Sequence, residues 1–225
     1  FGASIADIPD ILNVAKSLLL NVIGISFHVG SNCLDAKTYY NALADARTIF
    51  DIGYDYDFTF TLLDIGGGFP GYNLENTPTF EEIANEINRG IDDFFDNENI
   101  NIIAEPGRFF VSSSHTLVAN IIGKKSKNNE NIYYLNDGIY GSFNCIIFDH
   151  LIPVIQPYNS RDNTKYKSIV FGPTCDSIDI ISNDSLLPDL AIGEWVYVEN
   201  FGAYTIAASS NFNGFQQTRC VYCYI

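Results

Sequence analysis

Two rhythms of apolar residues alternate through the first half of the chain. Ile8, Ile11, Leu12, Ala15, Leu18 and Leu19 share one helical face behind Asp7 and Pro9, which predicts a helix over residues 1–20. A strand is predicted over residues 22–29, ending at Gly30-Ser31, and a second helix after Asp35 on Tyr39, Leu43, Ala46 and Phe50. The apolar run Leu62-Leu63-Asp64-Ile65 is too short for a helix and stops abruptly at Gly66-Gly67-Gly68-Phe69-Pro70-Gly71. A third helix starts at Thr79-x-x-Glu82, a capping box, with Phe80, Ile83, Ala84, Ile87, Ile91 and Phe94 on its stripe. A strand over residues 101–104 then ends in Glu105-Pro106-Gly107-Arg108.

Strands therefore finish in glycine-bearing loops at Gly30, Gly66 to Gly68 and Gly107, roughly forty residues apart, with a helix between each pair. Strand–helix alternation predicts a parallel sheet with covered faces, either doubly wound or a barrel. Reactive residue types at the end of every strand favour the (β/α)8 TIM-type barrel, whose site is built from those loops. Three such units cannot close a barrel, so residues 1–111 are expected to be the C-terminal part of one. After Arg108 the rhythm changes. Residues 132–135, 168–171, 195–199 and 219–225 are β-branched or aromatic runs between Gly, Pro, Asn and Asp clusters, and residues 124–131 read as a polar hairpin tip or loop. No helical stripe is legible over residues 111–122. A mostly β domain is expected over residues 112–225, giving an α/β plus β fold class.

Three adjacent glycines cost more backbone entropy on ordering than any other residues, so they fit where backbone approaches something closely. They fit a tight turn, or a phosphate cradle of N–H groups. Gly66-x-Gly68-x-x-Gly71 formally matches the dinucleotide fingerprint, but Pro70 and the polar stretch 72–78 separate it from the next helix, and that reading fails.

Composition narrows the function classes. Of 225 residues, 47% are apolar and 17% charged, as in a globular protein. A net charge of −15, from 27 acidic and 12 basic residues, argues against nucleic acid and suits a small cationic substrate. No apolar run has the length of a membrane span and no signal peptide opens the chain, so no membrane partner and a cytoplasmic location are expected. Five cysteines, an odd number, read as reduced thiols. Cys220 and Cys223 form a lone C-x-x-C that a strand would point to opposite faces, so no metal is expected.

Each candidate residue also has a structural explanation. His28 before Gly30 fits a structural histidine, and Glu105 and Arg108 could pair with each other. Asn136-Asp137-Gly138 reads as a turn with Tyr140 and Phe143 beyond it. The acids in Phe148-Asp149-His150 and Gly172-Pro173-Thr174-Cys175-Asp176 could be solvated turn residues. Core aromatics would account for Glu199-Asn200-Phe201-Gly202-Ala203-Tyr204 and Asn211-Phe212-Asn213-Gly214-Phe215. No nucleophile–histidine order is specified by spacing.

Taken in order, Ser26-Phe27-His28-Val29-Gly30-Ser31, residues 64–71, Ala104-Glu105-Pro106-Gly107-Arg108, residues 136–145, Phe148-Asp149-His150, residues 172–176 and residues 199–204 closely resemble the ornithine decarboxylases. These are fold-type-III pyridoxal 5′-phosphate (PLP) enzymes built from an alanine-racemase-like barrel and a β domain. The resemblance covers essentially the whole chain. It implies PLP-dependent decarboxylation of L-ornithine to putrescine in polyamine biosynthesis, by a homodimer with shared active sites. It gives His28 a stacking role on the pyridine ring. Glu105 would bond the pyridinium nitrogen and keep the ring protonated as an electron sink. Gly66, Gly67, Gly68, Gly107, Arg108, Ser31 and Tyr204 would hold the phosphate, a mix of N–H groups, a guanidinium and hydroxyls suited to a dianion. Asp149 and Asp176 would hold the distal ammonium, Phe212 and Asn213 would line the site, and Cys175 would deliver a proton to the carbon that loses carbon dioxide.

The resemblance has two departures. The cofactor's lysine belongs to a part of the family pattern ahead of Phe1, and none of Lys16, Lys37, Lys124, Lys125, Lys127, Lys165 and Lys167 sits in a matching motif. Phe148 stands where a tyrosine is common. Related decarboxylases of lysine, arginine or diaminopimelate are alternatives within enzymes. The antizyme inhibitors, non-catalytic relatives, are the alternative outside them, with antizyme as partner. They typically lack the arginine matching Arg108 and the aspartate matching Asp149, and this chain has both.

Overall fold

A computed structural model describes residues 2–73, 77–96, 99–127, 130–159 and 164–224. The chain divides into two compact units, Phe1–Phe110 and Val111–Ile225.

In the first unit, a single 3-10 turn leads into α1 (Ile8–Ser17), with Pro9 in its first turn. This helix is shorter than the sequence suggests, because Leu19 turns to φ +57° and ends it. Only Leu12 and Ala15 of its stripe are buried, while Ile11 and Leu18 stay exposed. Helix α2 (Lys37–Asp55) buries Tyr39, Leu43, Ala46 and Phe50, the four predicted residues. Helix α3 (Phe80–Phe95) carries its capping box as predicted. The Glu82 N–H donates to Thr79 Oγ1 and the Thr79 N–H to Glu82 Oε2 at 2.8 Å, closing two orphan donors of the first turn.

Strands β1 (Gly24–Ser26), β2 (Leu62–Asp64) and β3 (Asn101–Ile103) form a parallel sheet in that order. Their register is level: Ser26 pairs with Asp64, and Asp64 with Ile103. All three strands therefore stop in one layer, which fixes where the following loops begin. The unit's core gathers Leu12, Tyr39, Leu43, Phe50, Leu63, Phe69, Ile83 and Phe95.

The second unit is a six-stranded mixed sheet in the order β6-β9-β4-β5-β7-β8. Its strands are β4 (Leu117–Lys127), β5 (Glu130–Leu135), β6 (Gln156–Pro157), β7 (Tyr166–Phe171), β8 (Ile180–Leu187) and β9 (Trp195–Val198). Along β4, Leu117, Ala119 and Ile121 are buried while Val118 and Ile122 are exposed, the alternation of a half-buried strand. Residues 124–127 extend β4, so most of the expected polar loop is hairpin strand; its tip, 128–129, lies outside the described residues. The sheet curls: a groove of about 660 Å³ is lined from both edges, by residues 152–157 around β6 and by Ser182, Asp184 and Leu186 of β8.

Residues 219–224 are no strand, contrary to the sequence reading. Val221 and Tyr222 are 77% and 92% exposed; their β-branched and aromatic character finds no neighbouring strand to pair with. A brief helix, α5 (Cys145–Phe148), precedes Asp149.

Candidate active site

The glycine turn after β2 is built by close backbone approach. Gly66 has φ +64°, and a Cβ there would stand 2.0 Å from the Phe27 carbonyl oxygen; Gly68 has φ +103° and would meet the Gly30 oxygen at 2.4 Å. Neither position admits another residue without strain. The turn is locked on both sides. The Gly66 N–H donates to Asp64 Oδ1 (2.9 Å), the Glu105 N–H to the Gly66 carbonyl (2.7 Å), and the Cys33 N–H to the Gly68 carbonyl (3.0 Å). Tyr39 donates its hydroxyl to the Gly67 carbonyl at 3.0 Å from the core. Burial, with Cys33 adding to it, pushes the Tyr39 pKa up, so this donor stays protonated.

His28 and Glu105 follow their strands by the same two residues as Gly66 follows β2, so the level register delivers all three to one place. The Gly67 N–H donates to His28 Nδ1 at 3.2 Å. That bond puts the neutral ring's proton on Nε2. A Cβ on Gly67 would stand 2.9 Å from the Glu105 carbonyl oxygen and 3.2 Å from the His28 ring. The imidazole is thus seated on bare glycine backbone beside the Glu105 main chain. Ser31 is exposed in the loop after Gly30, and Gly107 and the buried Arg108 open the short helix α4 (Gly107–Val111). One end of one sheet thus carries an imidazole, a carboxylate-bearing residue, a glycine turn and a guanidinium.

The second unit assembles a different cluster from distant segments. Tyr140 donates its hydroxyl to Asp176 Oδ2 at 2.6 Å, and the Ile178 N–H donates to Asp176 Oδ1 at 3.1 Å. These two bonds, the tyrosine's first, hold the Asp176 carboxyl below its usual 3.8. The same bond, then desolvation, pushes Tyr140 up to about 12. The Phe212 ring stacks on Tyr140 with centroids 4.1 Å apart. Asn213, at φ +54°, donates from Nδ2 to the exposed Cys175 Sγ at 3.4 Å. Asp176, Cys175, Phe212 and Asn213, singled out separately in the sequence, therefore lie together. Asp149 stands at the end of α5, half-buried, and Tyr204 in the loop after β9, exposed and at φ +54°.

Sequence reasoning passed over three residues here. Tyr140 read as a turn neighbour and Asp137 as a turn residue, and the buried Asp179 was not singled out. Asp137 Oδ1 accepts the Gly138 and Ser142 N–H groups, and Oδ2 the Thr218 hydroxyl at 2.5 Å. The Ser210 N–H donates to the Tyr140 carbonyl. Both ends of the segment carrying Phe212 and Asn213 are thus tied to the turn carrying Tyr140. The sequence held one usable signal, Asp179 set between Ile178 and Ile180, an acid in an apolar run. Among the described residues no group of three or more His, Cys, Asp or Glu could hold a metal ion.

Residues 1–112 match the family described as pyridoxal-dependent decarboxylase, pyridoxal binding domain. The chain is 47% identical to the ornithine decarboxylase of Schizosaccharomyces pombe over 99% of its own length and 52% of that protein. It is also 47% identical to antizyme inhibitor 2 of Xenopus laevis, over 97% of its length and 51% of that protein. Among solved structures it is similar to the arginine decarboxylase of Paramecium bursaria Chlorella virus, with a TM-score of 0.89 at 36% identity, over 96% of this chain and 59% of that one. The lysine/ornithine decarboxylase of Vibrio vulnificus complexed with putrescine gives 0.88 at 33% identity, over 98% and 60%. The chain spans about half the length of the curated relatives it matches. From the pyridoxal-binding match on the first unit and the ornithine decarboxylase similarity along the rest, the chain belongs to the pyridoxal-dependent decarboxylases.

Proposed function

We propose that this protein serves the PLP-dependent decarboxylation of L-ornithine to putrescine, in the cytoplasm, and that its parallel sheet is a sector of a (β/α)8 barrel. The strand-end residues fit the cofactor by their chemistry: a flat imidazole on glycine, N–H groups at a turn no side chain can fill, a guanidinium and a carboxylate. PLP, when bound, supplies the electron sink for the pair left behind as carbon dioxide departs. His28, its Nδ1 tied to Gly67, would present a ring face to the pyridine. Glu105 would hold a proton at the pyridine nitrogen. Gly66, Gly67, Gly68, Ser31, Gly107, Arg108 and Tyr204 would bind the phosphate. Asp176 and Asp149 hold the substrate's distal ammonium, Phe212 and Asn213 flank it, and Cys175 carries the proton to the carbon.

The observation that carries this reading is Asp176. Its carboxyl is kept ionised by the Tyr140 hydroxyl and a backbone N–H, so it is an anion at neutral pH beside an aromatic pair and a thiol. That arrangement suits an alkylammonium chain with one reacting end. The two-fold arrangement implied by the family would pair the strand-end residues of one protomer with the Cys175–Asp176 loop of its partner in a homodimer. The test is release of carbon dioxide from carboxyl-labelled ornithine, lysine, arginine and diaminopimelate by the full-length, PLP-loaded protein. Ornithine is expected to give the highest kcat/KM; preference for diaminopimelate, whose distal end adds a carboxylate, would overturn the substrate assignment.

A second reading draws on the antizyme inhibitor 2 similarity: a non-catalytic protein that binds antizyme. Arg108 and Asp149, both present, favour the enzyme. PLP titration of the full-length protein separates the two, since the binding protein needs no cofactor and the enzyme loads stoichiometrically.

A further inference from the structure

Behind the Tyr140–Asp176 pair lies a residue that touches none of the substrate-facing groups with its side chain. Asp179 is 1% exposed. Its Oδ1 accepts the Ile139 N–H at 2.8 Å, and its Oδ2 accepts the Thr174 N–H at 3.0 Å and the Thr174 hydroxyl at 2.6 Å. Its own N–H donates to the Asp176 carbonyl (3.0 Å) and its carbonyl accepts the Gly172 N–H (2.9 Å). Room for the carboxylate is made by two glycines: a Cβ on Gly138 would stand 2.3 Å from Asp179 Oδ1, and one on Gly172 2.1 Å.

Each carboxylate oxygen thus grips a different loop at the position just before a working residue. Ile139 precedes Tyr140, and Thr174 precedes Cys175. We infer that Asp179 is the positioning residue of the substrate end. One buried carboxylate sets the Tyr140 turn and the Cys175–Asp176 loop in a single arrangement, so that Asp176 is charged and Cys175 is aimed. The inference rests on the decarboxylase reading for what the arrangement serves.

Asparagine is the informative replacement, because its amide N–H2 or oxygen can satisfy one loop but not both. With oxygen toward Ile139, the amide nitrogen can donate to the Thr174 hydroxyl but meets the Thr174 N–H donor to donor; turned the other way, it meets the Ile139 N–H. Buried donors left facing a donor cost more than the bond they lose. The joint grip on the two loops therefore fails while the fold keeps its hydrophobic core.

The experiment uses the full-length, PLP-loaded protein in four variants: Asp179→Asn, Thr174→Val, Thr174→Ser and Ile121→Val. The last trims a fully buried core residue of β4 and controls for lost stability alone. Asp179→Asn is expected to raise KM for ornithine about tenfold or more, with PLP affinity unchanged. Thr174→Val should move KM the same way by less, and Thr174→Ser, which keeps the hydroxyl, should restore it. Ile121→Val should lower Tm without touching KM. Should Asp179→Asn fail to fold, the Thr174 pair carries the test alone.

Alkylation of Cys175, followed by peptide mass spectrometry against Cys220 and Cys223, gives a readout independent of turnover. It should accelerate several-fold in Asp179→Asn and Thr174→Val as the loop loosens from Asn213. A wild-type protein that decarboxylates none of the amino acids would end the decarboxylase reading but leave this rate to judge the positioning role. Wild-type alkylation in both variants, or KM shifts matched by Ile121→Val, would overturn it.

Discussion

The strand ends of the first unit and the Tyr140–Asp176 cluster of the second reach order by opposite means. At the strand ends, backbone does the positioning. Three strands in level register stop together, glycines admit carbonyls that any Cβ would displace, and His28 is seated by a main-chain N–H. In the second unit side chains do it. Tyr140 and Asp176 are 36 residues apart, Asp137 and Thr218 81, and buried carboxylates tie the loops together. A backbone-built site tolerates change in what its side chains touch but not in its glycines. A side-chain-built site should lose function in graded steps as single bonds are removed.

The largest effect is expected where the first region is most constrained. Gly66→Ala combines positive φ with a clash against the Phe27 carbonyl, and should cost about 2–4 kcal/mol of stability and abolish PLP binding. Gly107→Ala, with open space around it, should stay within about 0.5 kcal/mol. Denaturant midpoints and PLP absorbance titrations measure both. Equal effects at the two glycines would break the comparison, because packing alone could not then explain the first.

This contrast also explains what could be read from the chain. The glycine triplet, His28 and Glu105 were legible because each sits at a fixed offset from a strand whose apolar run is local. Thr79-x-x-Glu82 was legible for the same reason: a capping box is closed within one turn. The second unit hid its order. Strand β8 carries Ser182-Asn183-Asp184-Ser185 in its interior, and its register with β7 slips, so no alternation survived to reveal it. Residues 219–224 showed the opposite failure, strand-like composition without a partner. Tyr140 and Asp179 were invisible as site residues because their partners lie across loops that only tertiary structure brings together.

Tyr140→Phe should have the intermediate effect. Losing the phenol lets the Asp176 carboxyl rise back toward 3.8. In the folded protein that carboxyl is lowered, so its charge and its stabilising bonds are present above 3.8 and lost only as pH falls through the lower value. The acid limb of kcat/KM for ornithine should therefore move to higher pH in the variant, with KM raised about threefold to tenfold at neutral pH. A pH profile of both proteins checks this, and an unshifted acid limb would detach Asp176 from substrate binding.

Thr218→Val should do least. It removes one bond to Asp137, about 1 kcal/mol, and frees one end of the segment that holds Phe212 on Tyr140. Amide hydrogen exchange over residues 209–218 should quicken while PLP affinity stays unchanged. A loss of PLP affinity instead would tie this segment to the cofactor and blur the distinction between the regions.

The central proposal is that the two regions serve one reaction from different protomers of a homodimer. Two inactive forms of the full-length, PLP-loaded protein test it, one carrying Glu105→Ala and the other Cys175→Ala. If each site combines the strand ends of one protomer with the Cys175 loop of its partner, a mixed dimer holds one site with both defects and one with neither. Random exchange makes about half the dimers mixed, so about a quarter of wild-type activity should return. Subunit exchange demonstrated by native mass spectrometry, with no recovered decarboxylation, would contradict it.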